Sequence, residues 1–110
     1  MISRKVTISP QARADLHALY EWIANNAGPD IALAYVERVE FFLRSLELAS
    51  ERGRKRDDLR PGLRILGFER NLTIAITVEP RDVTVLRLFR RGRNWESEFS
   101  GEIELFDDLI

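Results

Sequence analysis

Gly28 and Pro29 interrupt an otherwise continuous stretch of helix-forming residues in the first half of the sequence. In the residues before them, apolar side chains recur every three or four positions, which is the spacing of a buried helical face. Ser9 is suited to the N-cap of such a helix, and Pro10 is suited to its first position. The pattern therefore predicts a helix over about residues 10–27 that ends at the glycine.

A second amphipathic stretch begins almost immediately after this interruption and predicts a helix from about Asp30 to about Glu51. Its apolar positions share one helical face: Ala32, Tyr35, Val36, Val39, Phe42, Leu43 and Leu46. Because the connection between the two stretches is so short, the two helices are expected to pack antiparallel as a helical hairpin.

Strand patterns lie on both sides of the predicted hairpin. Residues 6–8 alternate between apolar and polar side chains, and residues 72–78 do so over a longer run. A tight turn leads from there into residues 83–89, whose apolar side chains fall on both parities and predict a central strand. With a further strand near residues 63–68, the order β-α-α-β-β-β predicts an α+β domain, an antiparallel sheet packed against the helical hairpin. After Arg90 the chain is expected to fray.

The charges are divided unevenly along the chain. Residues 1–95 contain all 17 basic residues and carry a net charge of +5, whereas residues 96–110 contain six acidic and no basic residues. A basic body favours a polyanion or an acidic partner, and the acidic end could compete for the same surface or simply keep the protein soluble. We expect a single domain over residues 1–96, followed by an acidic C-terminal tail over residues 97–110.

The composition excludes several classes of site. With no cysteine and with His17 as its one histidine, the chain has no disulfide framework, thiolate zinc site, cysteine nucleophile or histidine-rich metal centre. We therefore expect no metal and no cofactor. No apolar run approaches the ~20 residues that a membrane helix needs, and the N-terminus lacks an apolar signal segment, so we expect a cytoplasmic protein.

The candidate functional residues are mainly arginines. Arg87 shares its strand parity with apolar residues, and a partly buried guanidinium needs a carboxylate, a carbonyl or a bound anion. It could form a structural ion pair with an acid of the helices, or it could contact a ligand or partner. Trp95 follows two further arginines and could cap the core or anchor a partner. The basic residues within 52–64 could form a solvated surface or a nucleic-acid site.

Four segments resemble, in order and spacing, motifs of one protein family. They are residues 9–16 (SPQARADL, against an opening A-x-x-D-L helix), 31–35 (IALAY, against A-x-x-Y), 62–64 (GLR, against G-x-R) and 85–96 (VLRLFRRGRNWE, against I-x-R-V-x-H-x-x-R-D-W). The family is the RelE/ParE superfamily, the toxin halves of bacterial type II toxin–antitoxin pairs. The resemblance covers roughly residues 5–96 and implies the same α+β fold.

The resemblance also implies two possible modes of action. ParE-like members poison DNA gyrase, and RelE-like members cleave messenger RNA on the ribosome with a late histidine or tyrosine beside basic residues. Here Arg90 occupies the position of the family's late histidine, and a guanidinium is a poor proton shuttle because it stays protonated. We therefore expect a ParE-like gyrase poison, with no catalytic residues, that acts by binding and is neutralised by a ParD-like antitoxin.

Arg64, Arg87, Arg91 and Trp95 are the residues that we predict to bind partners. The family implies an antitoxin that lays an extended or helical segment across the hairpin and the sheet, and operator DNA that is bound only through this antitoxin. Two alternatives remain open. One is a ribosome-dependent endoribonuclease with the three arginines around the scissile phosphate, and the other is an inactive toxin fold that only binds its antitoxin.

Overall fold

The computed structural model describes residues 2–99 of the chain. Its elements are β1 (Lys5–Ile8), α1 (Pro10–Ala27), α2 (Pro29–Arg44), a 3-10 turn (Ser45–Glu47), β2 (Arg54–Lys55), β3 (Leu63–Phe68), β4 (Leu72–Val78) and β5 (Asp82–Arg90). Within this part of the chain, none of the helices has the length and apolar character needed to cross a membrane.

The helical hairpin is confirmed, with one change at its end. The hydroxyl of Ser9 accepts a hydrogen bond from the amide of Ala12 at 3.0 Å and so caps α1. Gly28, with φ of 100°, separates the two helices. The prediction that the second helix reaches Glu51 is wrong, because α2 ends at Arg44. The hydroxyl of Ser45 donates a hydrogen bond to the backbone carbonyl of Phe42. This local bond competes with the regular helical hydrogen bonds at the point where the 3-10 turn begins.

The five strands form one sheet in the order β1-β5-β4-β3-β2. The pairs from β2 to β5 are antiparallel, as predicted, but β1 runs parallel to β5. The expectation of a wholly antiparallel sheet is therefore corrected to a mixed sheet. Alternation of apolar and polar residues is the same in parallel and antiparallel strands, so it carried no information on this direction. The predicted loop before β3 also contains the two-residue edge strand β2.

A β-bulge in β5 explains why its apolar residues fall on both parities. Ala75 pairs with Arg87 and Ile76 pairs with Val85, so Leu86 is the extra residue on β5. Because one extra residue reverses the alternation, Val85 faces the helices while Arg87 faces the opposite side of the sheet. The strand lies between β1 and β4, which confirms its predicted central position.

The two faces of the sheet are covered differently. The face under the hairpin carries the main core, formed by Ala12, Leu19, Val39, Leu43, Leu46, Leu66, Leu72, Ile74, Ile76, Val83, Val85 and Leu88. The opposite face, which we call the helix-free face, carries a small core of Leu63, Ala75 and Phe89. The prediction that the chain frays after Arg90 is wrong, because residues 96–99 form a helical turn and Phe99 packs on this small core. The remainder of the predicted acidic tail, residues 100–110, lies outside the described residues.

Candidate partner-binding site

An ion pair joins Arg87 on β5 to Asp15 on α1. Nε of Arg87 donates to Oδ2 of Asp15 at 2.7 Å, and Nη2 donates to Oδ1 at 3.1 Å. The amide of Leu88 also donates to Oδ2, at 2.9 Å, so the carboxylate closes the edge of β5 beyond the end of β1. The two side chains are only 24% and 17% exposed. The hydrogen bonds that Arg87 donates to Asp15 raise the pKa of the guanidinium, and Arg87 is therefore the structural partner of a helix acid.

The same guanidinium has further contacts on the helix-free face. Nη1 of Arg87 lies 3.3 Å from Oε2 of Glu98, and the group stacks 4.9 Å from the ring of Phe89. A groove of about 570 Å³ opens here, lined by Ser9, Gln11, Leu59, Arg60, Pro61, Leu86, Arg87, Glu98 and Phe99. We call it the Arg87 groove. Its walls combine apolar side chains with two guanidinium groups, which suits a partner that is both apolar and acidic.

Trp95 lies on the same face and is half-buried against the small core. The guanidinium of Arg56 covers its ring at 5.3 Å. Two hydrogen bonds of 2.9 Å fasten Arg56 to Asp58, and a contact of 3.4 Å joins it to Glu96. These bonds raise the pKa of Arg56 and hold the pKa of Asp58 below its usual value. Trp95 therefore caps the helix-free core, which is one of the two roles considered from the sequence.

The other two predicted arginines line separate grooves. Arg64 borders a groove of about 470 Å³ between the end of β4 and the residues before β1, where Arg4 and Lys55 also lie. Arg91 borders a groove of about 410 Å³ with Trp22 of α1, whose ring lies 4.5 Å from the guanidinium of Arg90. In the described part of the chain, Arg64, Arg87 and Arg91 are therefore not gathered around a position that one phosphate could occupy.

Sequence reasoning missed an apolar groove of about 780 Å³ beside α2. Phe41 is 70% exposed here, and Phe42 and Phe68 form the floor. The helical periodicity predicts that Phe42 is buried, but it gives no indication that Phe41 beside it is exposed. The available signal was a second phenylalanine immediately beside the buried stripe. We call this the Phe41 groove.

Arginines line the rim of the Phe41 groove. Arg38 forms a paired hydrogen bond with Glu69 at 2.9 and 3.1 Å, and this pairing holds the pKa of the carboxyl group below its usual value. Arg52 stacks on Phe42 at 5.0 Å, and Arg44 lies 5.9 Å from the ring of Phe41. Glu37 and Glu69 also line the groove, so its rim carries both charges, and an exposed apolar surface with a polar rim is typical of a protein-interaction site.

Comparison with known proteins supports the resemblance noted from the sequence. A sequence model of a protein family, described as the ParE toxin of the type II toxin–antitoxin system parDE, matches residues 6–95 of this chain. The fold is similar to a structure described as the chromosomal ParDE toxin–antitoxin system from P. aeruginosa, with a TM-score of 0.70 and 27% identity over 80% of this chain and 96% of that chain. No curated protein matches the chain. The predicted fold class and superfamily are thus confirmed, and the chain belongs to the ParE toxin family of type II toxin–antitoxin systems.

Proposed function

We propose that this chain is a toxin that poisons DNA gyrase by binding, in the cytoplasm, and that a ParD-like antitoxin neutralises it. Family membership supports this proposal, and the separation of Arg64, Arg87 and Arg91 into three grooves supports binding over phosphate chemistry. A nuclease of the RelE type needs those cations together with a proton acceptor.

In the groove of Arg91, the candidate for such an acceptor is Tyr35. Burial of Tyr35 raises the pKa of its hydroxyl above the usual value of 10.0. The phenol is therefore protonated at neutral pH and is poorly suited to accept a proton from a ribose hydroxyl. This observation disfavours catalysis in the groove of Arg91, whereas carboxylates such as Asp57 and Glu98 line the grooves of Arg64 and Arg87.

The Phe41 groove is our candidate for the antitoxin-binding surface. It lies between α2 of the hairpin and the end of β3, where the family implies that the antitoxin crosses from helices to sheet. An amphipathic segment would place apolar side chains against Phe41 and Phe42, and a carboxylate of the segment would meet Arg52 at the rim. Contact with operator DNA is assigned to the antitoxin, with this chain bound to it.

A gyrase reaction tests the proposed target. Purified protein, freed of antitoxin, is added to gyrase, and supercoiling and cleaved DNA are followed against protein concentration. We expect cleaved DNA to accumulate with dose and to disappear when the antitoxin is added. Unchanged supercoiling at micromolar protein would remove gyrase as the target. Ribosome-bound transcripts that are cut within minutes of induction would instead support the endoribonuclease.

A pair of matched variants tests the antitoxin surface. Phe41→Ser removes the exposed ring at the Phe41 groove, and Leu33→Ser removes an exposed apolar side chain of α2 that does not line this groove. We expect the first variant to weaken antitoxin binding by about ten-fold or more, the loss typical of an interface aromatic. We expect the second to bind normally. Equal affinities of the two variants, measured by calorimetry on folded protein, would place the antitoxin elsewhere.

A further inference from the structure

The groove of Arg91 differs in charge from the other grooves of the described surface. Its charged side chains are Arg90 and Arg91, at the end of β5, and no carboxylate from residues 2–99 lines it. The groove of Arg64, the Arg87 groove, the Phe41 groove and a groove along β1 each include at least one glutamate or aspartate. The lining of the groove of Arg91 is therefore purely cationic in its charge.

The arginines of this groove are exposed and unpaired. Neither Arg90 nor Arg91 forms an ion pair with a carboxylate of residues 2–99. Arg70, also exposed and unpaired within that range, lies in the turn between β3 and β4, whose next residue accepts a hydrogen bond from the amide of Arg91 at 2.9 Å. The carboxylate of Glu69 in the same turn is already bound by Arg38. Three unneutralised cations thus lie at one end of the sheet.

Aromatic rings accompany these cations. The indole of Trp22 is 48% exposed, and the guanidinium of Arg90 lies over its ring at 4.5 Å. Tyr35 and the amide of Asn71 complete the polar and aromatic part of the lining. Indole rings and guanidinium planes both stack on nucleobases, and an amide side chain can donate to and accept from the edge of a base.

This combination favours a nucleotide strand over an acidic peptide. Carboxylates of a peptide would neutralise the arginines alone, whereas a nucleotide supplies a phosphate for the arginines and a flat base for the indole. Cationic grooves with stacking aromatic rings are the usual construction of proteins that bind single strands. In a duplex the bases are stacked on one another, so their faces are not available to the ring of Trp22.

We propose that the groove of Arg91 binds single-stranded nucleic acid, with a base stacked on Trp22 and the neighbouring phosphates on Arg91 and Arg70. The contact uses the base and the phosphate, which DNA and RNA share. It differs from the contact with operator duplex that is assigned to the antitoxin. The inference goes beyond the proposed function and depends on neither gyrase nor the antitoxin.

Quenching of the fluorescence of Trp22 tests the stacking contact. The full-length chain contains two tryptophans, so Trp95→Phe leaves Trp22 as the single indole and keeps an aromatic ring on the helix-free core. We expect short oligothymidylate and oligouridylate strands to quench this fluorescence saturably at about 50 mM salt. A duplex of the same length and polyglutamate are expected to quench it weakly. Absence of quenching by either single strand would overturn the proposal, and so would equal affinity for polyglutamate.

Variants of the otherwise natural chain, measured by the anisotropy of a fluorescein-labelled oligothymidylate, locate the contact. Trp22→Ala should weaken binding by about ten-fold, the loss of one stacked base. Phe41→Ser, which removes an exposed ring outside this groove, should bind the strand normally. Equal affinities of these two variants would overturn the proposed stacking.

The salt dependence of binding tests the phosphate contact. Arg91→Gln should reduce the slope of log affinity against log salt by about 0.7, the value for one phosphate of a single strand. Arg81→Gln, in the turn before β5 and outside this groove, should leave the slope unchanged. Equal slopes for the two variants would overturn the assignment of Arg91. Because none of these measurements involves gyrase, a negative gyrase assay and a failure of this inference are separate results.

Discussion

The two faces of the sheet are held by different forces. The face under the helical hairpin buries twelve side chains of its core within residues 2–99, whereas the helix-free face buries three. The second face is closed by half-buried aromatic rings and by carboxylate–guanidinium contacts. The comparison indicates that the face under the hairpin contributes more to the stability of the fold than the helix-free face does.

The distribution of arginines follows the same division. On the helical side, guanidinium groups such as Arg38 and Arg52 lie at the rim of an exposed groove. On the helix-free face, Arg87 is partly buried and anchored to Asp15. Ion pairs of the first kind contribute little to stability, whereas removing one partner of a buried pair is costly. Substitutions on the two faces should therefore differ in their cost to stability.

Ile76→Ala should cause the largest loss of stability. Ile76 is fully buried in the core under the hairpin, and its truncation removes apolar contacts and leaves a cavity. We expect the free energy of unfolding to fall by about 3 kcal/mol, measured by urea denaturation. Ile65→Ala, in the same sheet but half-buried on the other face, is the matched control and should cost distinctly less. Equal losses of unfolding free energy would mean that the two faces of the sheet contribute equally to stability.

Asp15→Asn should cost about 2 kcal/mol, because it leaves the guanidinium of Arg87 partly buried without its counter-charge while keeping the shape of the side chain. Glu40→Gln, an exposed carboxylate of α2, serves as the control and should be nearly neutral. Denaturation curves of the two variants give the free energies of unfolding that are compared. A loss for Asp15→Asn as small as that of the control would show that Arg87 is held by its other contacts.

Phe99→Ala should cost about 1 kcal/mol, since the ring is only half-buried. Its removal should also speed hydrogen exchange near Phe89 and leave exchange near Ile76 unchanged, because the two residues lie in separate cores. Mass spectrometry of exchanged peptides gives this readout. Faster exchange throughout both cores would show that the two faces unfold as one unit.

Glu69→Gln should have the smallest effect and a defined pH dependence. Arg38 holds the pKa of Glu69 below its usual value of 4.5, so the pair stabilises the folded state above that value. This contribution is lost as the pH falls through the lowered pKa of the folded state. Thermal melting should therefore distinguish the variant from the parent slightly at pH 7 and not at all in strong acid. A difference that grows on acidification would contradict the ion pair.

Much of the fold follows from signals that act within a few residues. Ser9, Pro10 and Gly28 mark the ends of α1, and the alternation in residues 72–78 marks β4, because caps and periodicity depend on local backbone geometry. Two of the failures concern long-range pairing. The direction of β1 and the bulge at Leu86 depend on which strand lies beside which, and no local pattern contains that information.

The amino-acid sequence alone predicts the family, the helical hairpin, four of the five strands and a partly buried Arg87 that needs a partner. Packing in three dimensions shows that this partner is Asp15, 72 residues away, that Trp95 closes a core, and that Phe41 lies at an open groove. The physical reason is that the role of a side chain depends on what packs against it. Neighbours in space determine whether a side chain is buried, paired with a charge or exposed. The bulge and the strand register determine which residues become such neighbours.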